Sequence, residues 1–487
     1  GDQSPVSDSA TAGGGQAGSS ATPSGSLPQR AGGGLLTRRR LLLGAGGVLA
    51  AAAVGGVLAV RRAVVPDLGP GLDARDAAPA GEWIELLYDL VMAQGTSPAA
   101  AARAYAYASV ALYEAASGGS GQYRSLAGQL NGLRELPAPA PGPPVDRSSA
   151  ATAAVATVAA ALFPPDRVLR SAEIARLRED QLGRRRAAGV PTAVSARSAA
   201  YGDSVAERIL AWSEGDGYAA TVGRAYEPPT GPGRWAPELG LVPVEPHWGS
   251  LRPFSLPSPD AYQPSPPPAA YSADRASAFH AEALRVHAAG LTLTDEQRDI
   301  ATFWTDNARL SGTPAGHWML IAKDMTRRFD LSLTGAAELY AVLAVALADA
   351  FLSCWKEKYR TNLLRPDAYI REHVDPQWRP FVATPVFPEY TSGHSVASRA
   401  AATVLTHLLG AVPLTDDTHS SRTRLHSRAF ASFHRAAEEA AMSRLYGGIH
   451  YPMSIQIGLS QGENVGRHVI DSLQTRGQAP SSEEAPA

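Results

Sequence analysis

Cysteine is nearly absent: Cys354 stands alone in 487 residues. That excludes an intrachain disulfide framework and any metal centre built from several thiolates. Cys354 ends the apolar run Ala350-Phe-Leu-Ser-Cys, where a buried structural thiol is the expected role. Charge is scarce too, at 18% of residues with a formal net charge of −2, so there is no electrostatic case for a nucleic-acid partner. Also missing is any run of alternating β-branched residues that would demand a sheet. What is present is 45% hydrophobic, enough to bury a large core and too long for one small domain.

Residues 1–36, mostly Gly, Ser, Ala and Thr, bury too little to offset chain entropy and are expected to be disordered. Residues 37–63 open with Thr37-Arg-Arg-Arg40 and continue with twenty apolar or small residues, Leu41 to Val60. This is an export-signal pattern similar to the twin-arginine type, and it is also just long enough for a membrane anchor. A Pro/Gly/Asp-rich linker follows at 64–80. The N-terminal helical half covers 81–290 and the C-terminal helical half 291–475, with a polar tail at 476–487.

Within the halves, apolar periodicity predicts two helices over 83–116, the second capped by Ser97 and opened by Pro98. Others are predicted at 148–162, 167–188, 192–215, 273–288, 295–309, 316–329, 333–363, 394–410, 428–446 and 453–472. Between them, residues 216–272 are rich in Pro, Gly, Trp and Tyr. That stretch is too aromatic for a disordered linker and reads as an ordered wrap, a place where function concentrates. The fold class is all-α: two packed helical bundles with a long ordered loop, and the active site in the C-terminal bundle.

Three clusters carry the chemistry. Lys358 and Arg365, seven residues apart, are predicted on one face at a helix C-terminus, with Trp355 alongside. Ser392-Gly393-His394 follows a Pro-rich loop and opens a helix, where free amides and the dipole favour an anion. Arg444 and His450 are separated by Leu-Tyr-Gly-Gly-Ile, so a bend must intervene. Together these form a donor-rich cage suited to an oxyanion. Taken singly, each also reads as a solvated face, an ordinary helix cap or a core histidine.

In this order and spacing, the clusters resemble the motifs shared by type 2 phosphatidic-acid phosphatases and vanadium-dependent haloperoxidases. Phe303-Trp-Thr-Asp306, His317-Trp318 and Gly231-Pro-Gly-Arg-Trp235 resemble stretches of the bacterial chloroperoxidase-like branch, so the likeness runs over about 80–475. The resemblance implies a vanadate cofactor bonded by His450 Nε2, with Lys358, Arg365, Arg444, Ser392 and Gly393 around its oxygens. His394 would be the acid–base residue, and Asp306 would hold the first arginine, Arg365. Trp355 and Phe387 match the aromatic positions of chloroperoxidases. The implied reaction oxidises a halide, chloride or bromide, with hydrogen peroxide and halogenates a small organic acceptor. Two alternatives stay open: an acid phosphatase with His450 as nucleophile, and a cofactor-free relative that has lost halogenation. Ser454 departs from the pattern, which places an aspartate there to orient His450. Exposed alanine-rich helix faces would permit a homodimer, and a membrane would be met only through the N-terminal anchor.

Overall fold

A computed structural model describes residues 76–141, 145–164, 170–419 and 425–477, all within the unit Pro70–Ala487. The segments expected to be disordered at 1–36 and to form the signal or anchor at 37–63 lie outside the described residues, as does most of the linker and of the tail. At the tail's start, Arg476 is not loose: its guanidinium bonds Glu338 and its backbone bridges to Tyr123.

Thirteen helices make up the described fold: α1 (Ala78–Gln94), α2 (Pro98–Ser117), α3 (Arg147–Leu162), α4 (Ala172–Ala187) and α5 (Thr192–Glu214) in the N-terminal half, followed by α6 (Ala278–Leu291). The C-terminal half contains α7 (Asp295–Phe303), α8 (Thr313–Arg328), α9 (Leu333–Thr361), α10 (Pro366–His373), α11 (Gly393–Leu409), α12 (Phe433–Tyr446) and α13 (Pro452–Ser472). The architecture is all-α. Its one hairpin pairs β1 (Leu414–Asp416) with β2 (Arg428–Phe430) antiparallel, and takes the first residues of the helix predicted at 428–446.

The two halves share one continuous core running from Ala77 to Leu473. Its axis is α9, apolar and long enough to cross a membrane by composition, yet buried throughout that apolar stretch inside the fold. Small residues let α2 pack on α9, and they let α13 pack on α11. At Gly462 an added Cβ would lie 2.1 Å from the Val396 carbonyl oxygen, so only glycine fits that helix crossing.

The Pro/Gly/Trp-rich stretch is ordered, as expected, and is pinned to α9 and its exit. Asp349 accepts the amides of Phe254, Ser255 and Leu256, and Trp235 exchanges hydrogen bonds with Asn362. Val244 reaches the site itself: its amide donates to Val386 O (3.0 Å), and its carbonyl accepts from Tyr359 Oη and Trp355 Nε1.

Three boundaries shape the site. α7 stops at Phe303 rather than 309, because Asp306 takes a left-handed turn (φ 46°) tolerated by aspartate. α9 stops at Thr361, capped by Asn362 in the left-handed region, so Arg365 does not share a helical face with Lys358. Instead it caps α10, which Pro366 starts and the sequence pattern did not show. The third break lies between α12 and α13, where Gly448 (φ 77°) makes the bend anticipated between Arg444 and His450.

Candidate active site

The C-terminal motifs meet around a cavity of about 350 Å³. On its wall are Trp355 from α9, Phe387 from the loop before α11, Gly393 and His394 from the start of α11, Arg444 from the end of α12, and His450 from the bend before α13. Asp306 from the turn after α7, Val244 from the long loop and Ser97 from the N-terminal half also line it.

His450 is the best-defined member. Its Nδ1 lies 2.8 Å from Glu389 Oε1, and its Nε2 lies 3.2 Å from Arg365 Nη1. A guanidinium can only donate, so Nε2 carries the lone pair and Nδ1 carries the proton that Glu389 accepts. Burial, then the charges of Arg365, Lys358 and Arg444, push its pKa well below the usual imidazole range, so the ring is neutral. This is the tautomer a metal ligand needs.

Glu389 corrects the expectation drawn from Ser454. The carboxylate missing four residues after His450 is supplied from the other side, by the loop that precedes α11. Glu389 Oε1 also takes the Tyr451 amide (3.0 Å), and the Ser454 hydroxyl donates to Oε2. Ser454 therefore holds the carboxylate rather than leaving a gap. The missed residue had a signal: a buried histidine with no acidic neighbour in its own motif needs an acceptor, and Glu389 lies in the adjacent motif loop. Burial raises its pKa, opposed by Ser454, Arg365 and Lys358.

The cations divide. Arg444 is buried; Nε bonds Ser443 Oγ (2.8 Å) and Nη2 bonds the Trp304 and Ala301 carbonyls (2.6 and 3.3 Å). Arg365 is likewise buried and is spent on the Phe387, Ile449 and Pro388 carbonyls besides His450. Burial lowers both to about 10, which leaves them charged at neutral pH. Lys358 differs from expectation. Its Nζ is aimed at three carbonyls, those of Pro388, Glu389 and Thr391 (3.2, 2.9 and 2.5 Å), and like Arg365 and Ser392 it lies behind the cavity wall rather than on it. Burial pushes its pKa down. The Phe387 ring packs 5.1 Å from Lys358 Nζ, 4.9 Å from the Arg365 guanidinium and 4.9 Å from Trp355, joining the aromatic pair to both cations.

Asp306 does not hold Arg365. Its Oδ2 lies 2.9 Å from His317 Nδ1, because the turn after α7 directs it into the core between α7 and α8, while Arg365 is committed elsewhere. Burial alone would raise the Asp306 pKa, but the histidines around it, His317 first, hold it below the usual carboxylate range.

Two tests favour an oxyanion. Gly393 has no left-handed backbone, and a Cβ there would meet nothing closer than Trp355 at 3.6 Å, so neither strain nor packing demands glycine. The room it leaves is on the cavity side, and as the first residue of α11 its amide has no helical acceptor. The Ser392 hydroxyl accepts from Ser395 Oγ (2.8 Å), keeping its own proton to give, whereas the Ser392 amide is taken by the Ser454 carbonyl. The second test is His394: half-buried, with Nε2 sealed from solvent and without a hydrogen-bond partner, facing the same cavity.

A cavity lined by Arg444 and the Gly393 amide in an all-α fold, with the His450 imidazole on its wall and His394 Nε2 facing it without a partner, suits an oxyanion. The comparisons narrow the class. The model of the vanadium chloroperoxidase second helical-bundle domain matches residues 338–478. A solved structure described as the first bacterial vanadium-dependent iodoperoxidase is 38% identical with a TM-score of 0.76, over 82% of this chain and 97% of that one. A holo-type bacterial vanadium-dependent chloroperoxidase is 16% identical, with a TM-score of 0.59 over 83% of this chain and 98% of that one, which shows the shared fold. No curated protein gives a significant match. The chain belongs to the vanadium-dependent haloperoxidases. It is a peroxidase, with hydrogen peroxide and halide as substrates and vanadate as cofactor.

Proposed function

We propose that the enzyme oxidises iodide in preference to bromide and chloride, releasing hypohalous acid or passing the oxidised halogen to a small organic acceptor. One observation carries this reading: Lys358, the cation expected to polarise the cofactor, directs its ammonium to three backbone carbonyls and does not line the cavity. A cavity with fewer cations on its wall suits the most easily oxidised halide. The relative at 38% identity, described as an iodoperoxidase, supports the same choice.

In this reading His450 Nε2 would hold vanadate, and Glu389 keeps that lone pair available by fixing the Nδ1 proton. Arg444 and the Gly393 amide, on the cavity wall, would neutralise the oxyanion, with Arg365 and the Ser392 hydroxyl behind them. When bound, vanadate supplies a Lewis acid that activates hydrogen peroxide towards halide. His394 handles the protons. Its Nε2, buried and without a partner, would accept a proton from hydrogen peroxide and give it to the hydroxide that leaves as water. The balance is one peroxide, one halide and one proton giving one hypohalous acid and one water.

Chloride is the second reading, favoured by the Trp355–Phe387 pair, whose ring centroids are 4.9 Å apart. Steady-state rates with the three halides at fixed peroxide decide between them. Iodide should lead in kcat/KM by at least tenfold, and comparable chloride turnover would overturn the assignment. We further propose export through the twin-arginine-like stretch. Replacing Arg38 and Arg39 with lysine should hold the protein in the cytoplasmic fraction of an exporting host, and unchanged export would refute it.

A further inference from the structure

Behind the cavity lies a buried group that the proposed roles leave unused. His317, on α8, has a side chain with no solvent exposure and a carboxylate against each ring nitrogen. Nδ1 is 2.9 Å from Asp306 Oδ2, and Nε2 is 2.7 Å from Asp416 Oδ2 on β1. A neutral imidazole has one N–H and could satisfy only one of them, so two such contacts between charged acceptors require protons on both nitrogens. Asp416 is itself held in place by the Thr418 amide (3.0 Å).

The His317 ring is stacked on Trp304, centroids 4.5 Å apart and planes 17° from parallel, the geometry in which an indole face attracts a cation. Trp304 is fixed further by Trp318, at 6.1 Å, and by its Nε1 donating to Glu439 Oε1 (3.0 Å). Its carbonyl reaches the site: it accepts from Arg444 Nη2 at 2.6 Å. One peptide oxygen thus sets the anion-binding cation that lines the cavity.

We propose that His317 is an imidazolium clamped between Asp306 and Asp416, acting as a positioning residue that fixes Trp304 and, through its carbonyl, Arg444. The proposal rests on the role given above to Arg444. It also explains why the small hairpin matters: β1 contributes Asp416, the outer jaw of the clamp. Burial works against the charge, yet the two carboxylates outweigh it and raise the His317 pKa to about 10. His419 faces the same ring at 4.8 Å and lies 3.7 Å from Asp306, so Asp306, His317 and His419 also have the spacing to hold a divalent cation. That cation would have to displace the ring protons, and the experiment separates the two cases.

The full chain, labelled with ¹⁵N-histidine, is examined by long-range ¹H–¹⁵N correlation at pH 8, and purified protein is analysed for bound metal. One histidine should show both ring nitrogens protonated, that signal should vanish in His317→Gln, and no stoichiometric divalent metal should be found. In His317→Gln and Asp416→Asn, kcat for iodide should fall at least tenfold with the iodide KM within twofold, and vanadate should bind at least fivefold more weakly. If His317→Gln fails to fold, Asp416→Asn and Trp304→Phe provide the kinetic comparison. The absence of a doubly protonated ring, a stoichiometric bound metal, or folded variants with wild-type kcat and vanadate affinity would each overturn the proposal. The spectrum needs no turnover, so it stands apart from any failure of the halide assignment.

Discussion

Glu389 is the carboxylate that holds His450, the proposed vanadate ligand. A histidine ligand needs its remote nitrogen held, and an outer carboxylate of this kind is worth about 10–100-fold in metal affinity. Glu389→Gln should weaken vanadate binding by that order, measured by titration of the apoprotein, because the amide no longer presents an anion to Nδ1–H. Adding Ser454→Asp should restore part of the loss, since position 454 already touches the same group. Unchanged affinity in the single variant would show that His450 is oriented by something else. Reading Ser454 alone suggested a weakened site. Its hydroxyl instead secures a carboxylate 65 residues earlier in sequence, a partnership no local spacing encodes.

At the scale of elements, close helix approach and buried termini set the tolerances. Gly462→Ala would drive a methyl into the Val396 carbonyl where α13 crosses α11, the helices that follow His450 and carry Gly393. Overpacking of this type costs about 1–3 kcal/mol. The melting temperature should fall by several degrees, and an unaltered value would mean that the crossing is looser than described. Near the end of α2, Glu114 takes the Leu126 amide and the Ser125 hydroxyl while almost fully buried. Burial raises its pKa to about 7. A raised carboxyl pKa means the folded state favours the protonated form. Stability from this group is therefore complete below the ordinary range near 4.5 and is lost as pH climbs to 7, by about 3 kcal/mol in all. Thermal unfolding of Glu114→Gln should thus gain on the wild type between pH 5 and pH 8, and a constant difference would refute the assignment.

For the whole molecule, most helices could be read from apolar period and caps. So could the meeting of Lys358, Arg365, Ser392, Gly393, His394, Arg444 and His450 in one region, because motif order and helix punctuation are local properties. Three things were not legible, each for a tertiary reason. Lys358 turned to the carbonyls of the 388–391 loop, a choice made by a segment 30 or more residues away. Asp306 left the arginine for His317 once a left-handed turn ended α7 early. The β1–β2 hairpin has strands of three residues, too short to write a period, yet it delivers Asp416 to the core. The large core shared by the two halves ties these distant choices together, so the site behaves as a property of both.

In the proposed site His450 ligates the vanadate on which halide oxidation depends. The most direct test is titration of purified apoprotein with orthovanadate, following peroxide-dependent iodide oxidation, alongside His450→Ala and a phosphate-ester assay. Activity should rise to a plateau at one vanadate per chain, and His450→Ala should neither bind vanadate nor turn over. Iodide oxidation that ignores vanadate, or a His450→Ala variant that binds and works like the wild type while the enzyme briskly hydrolyses phosphate esters, would contradict it.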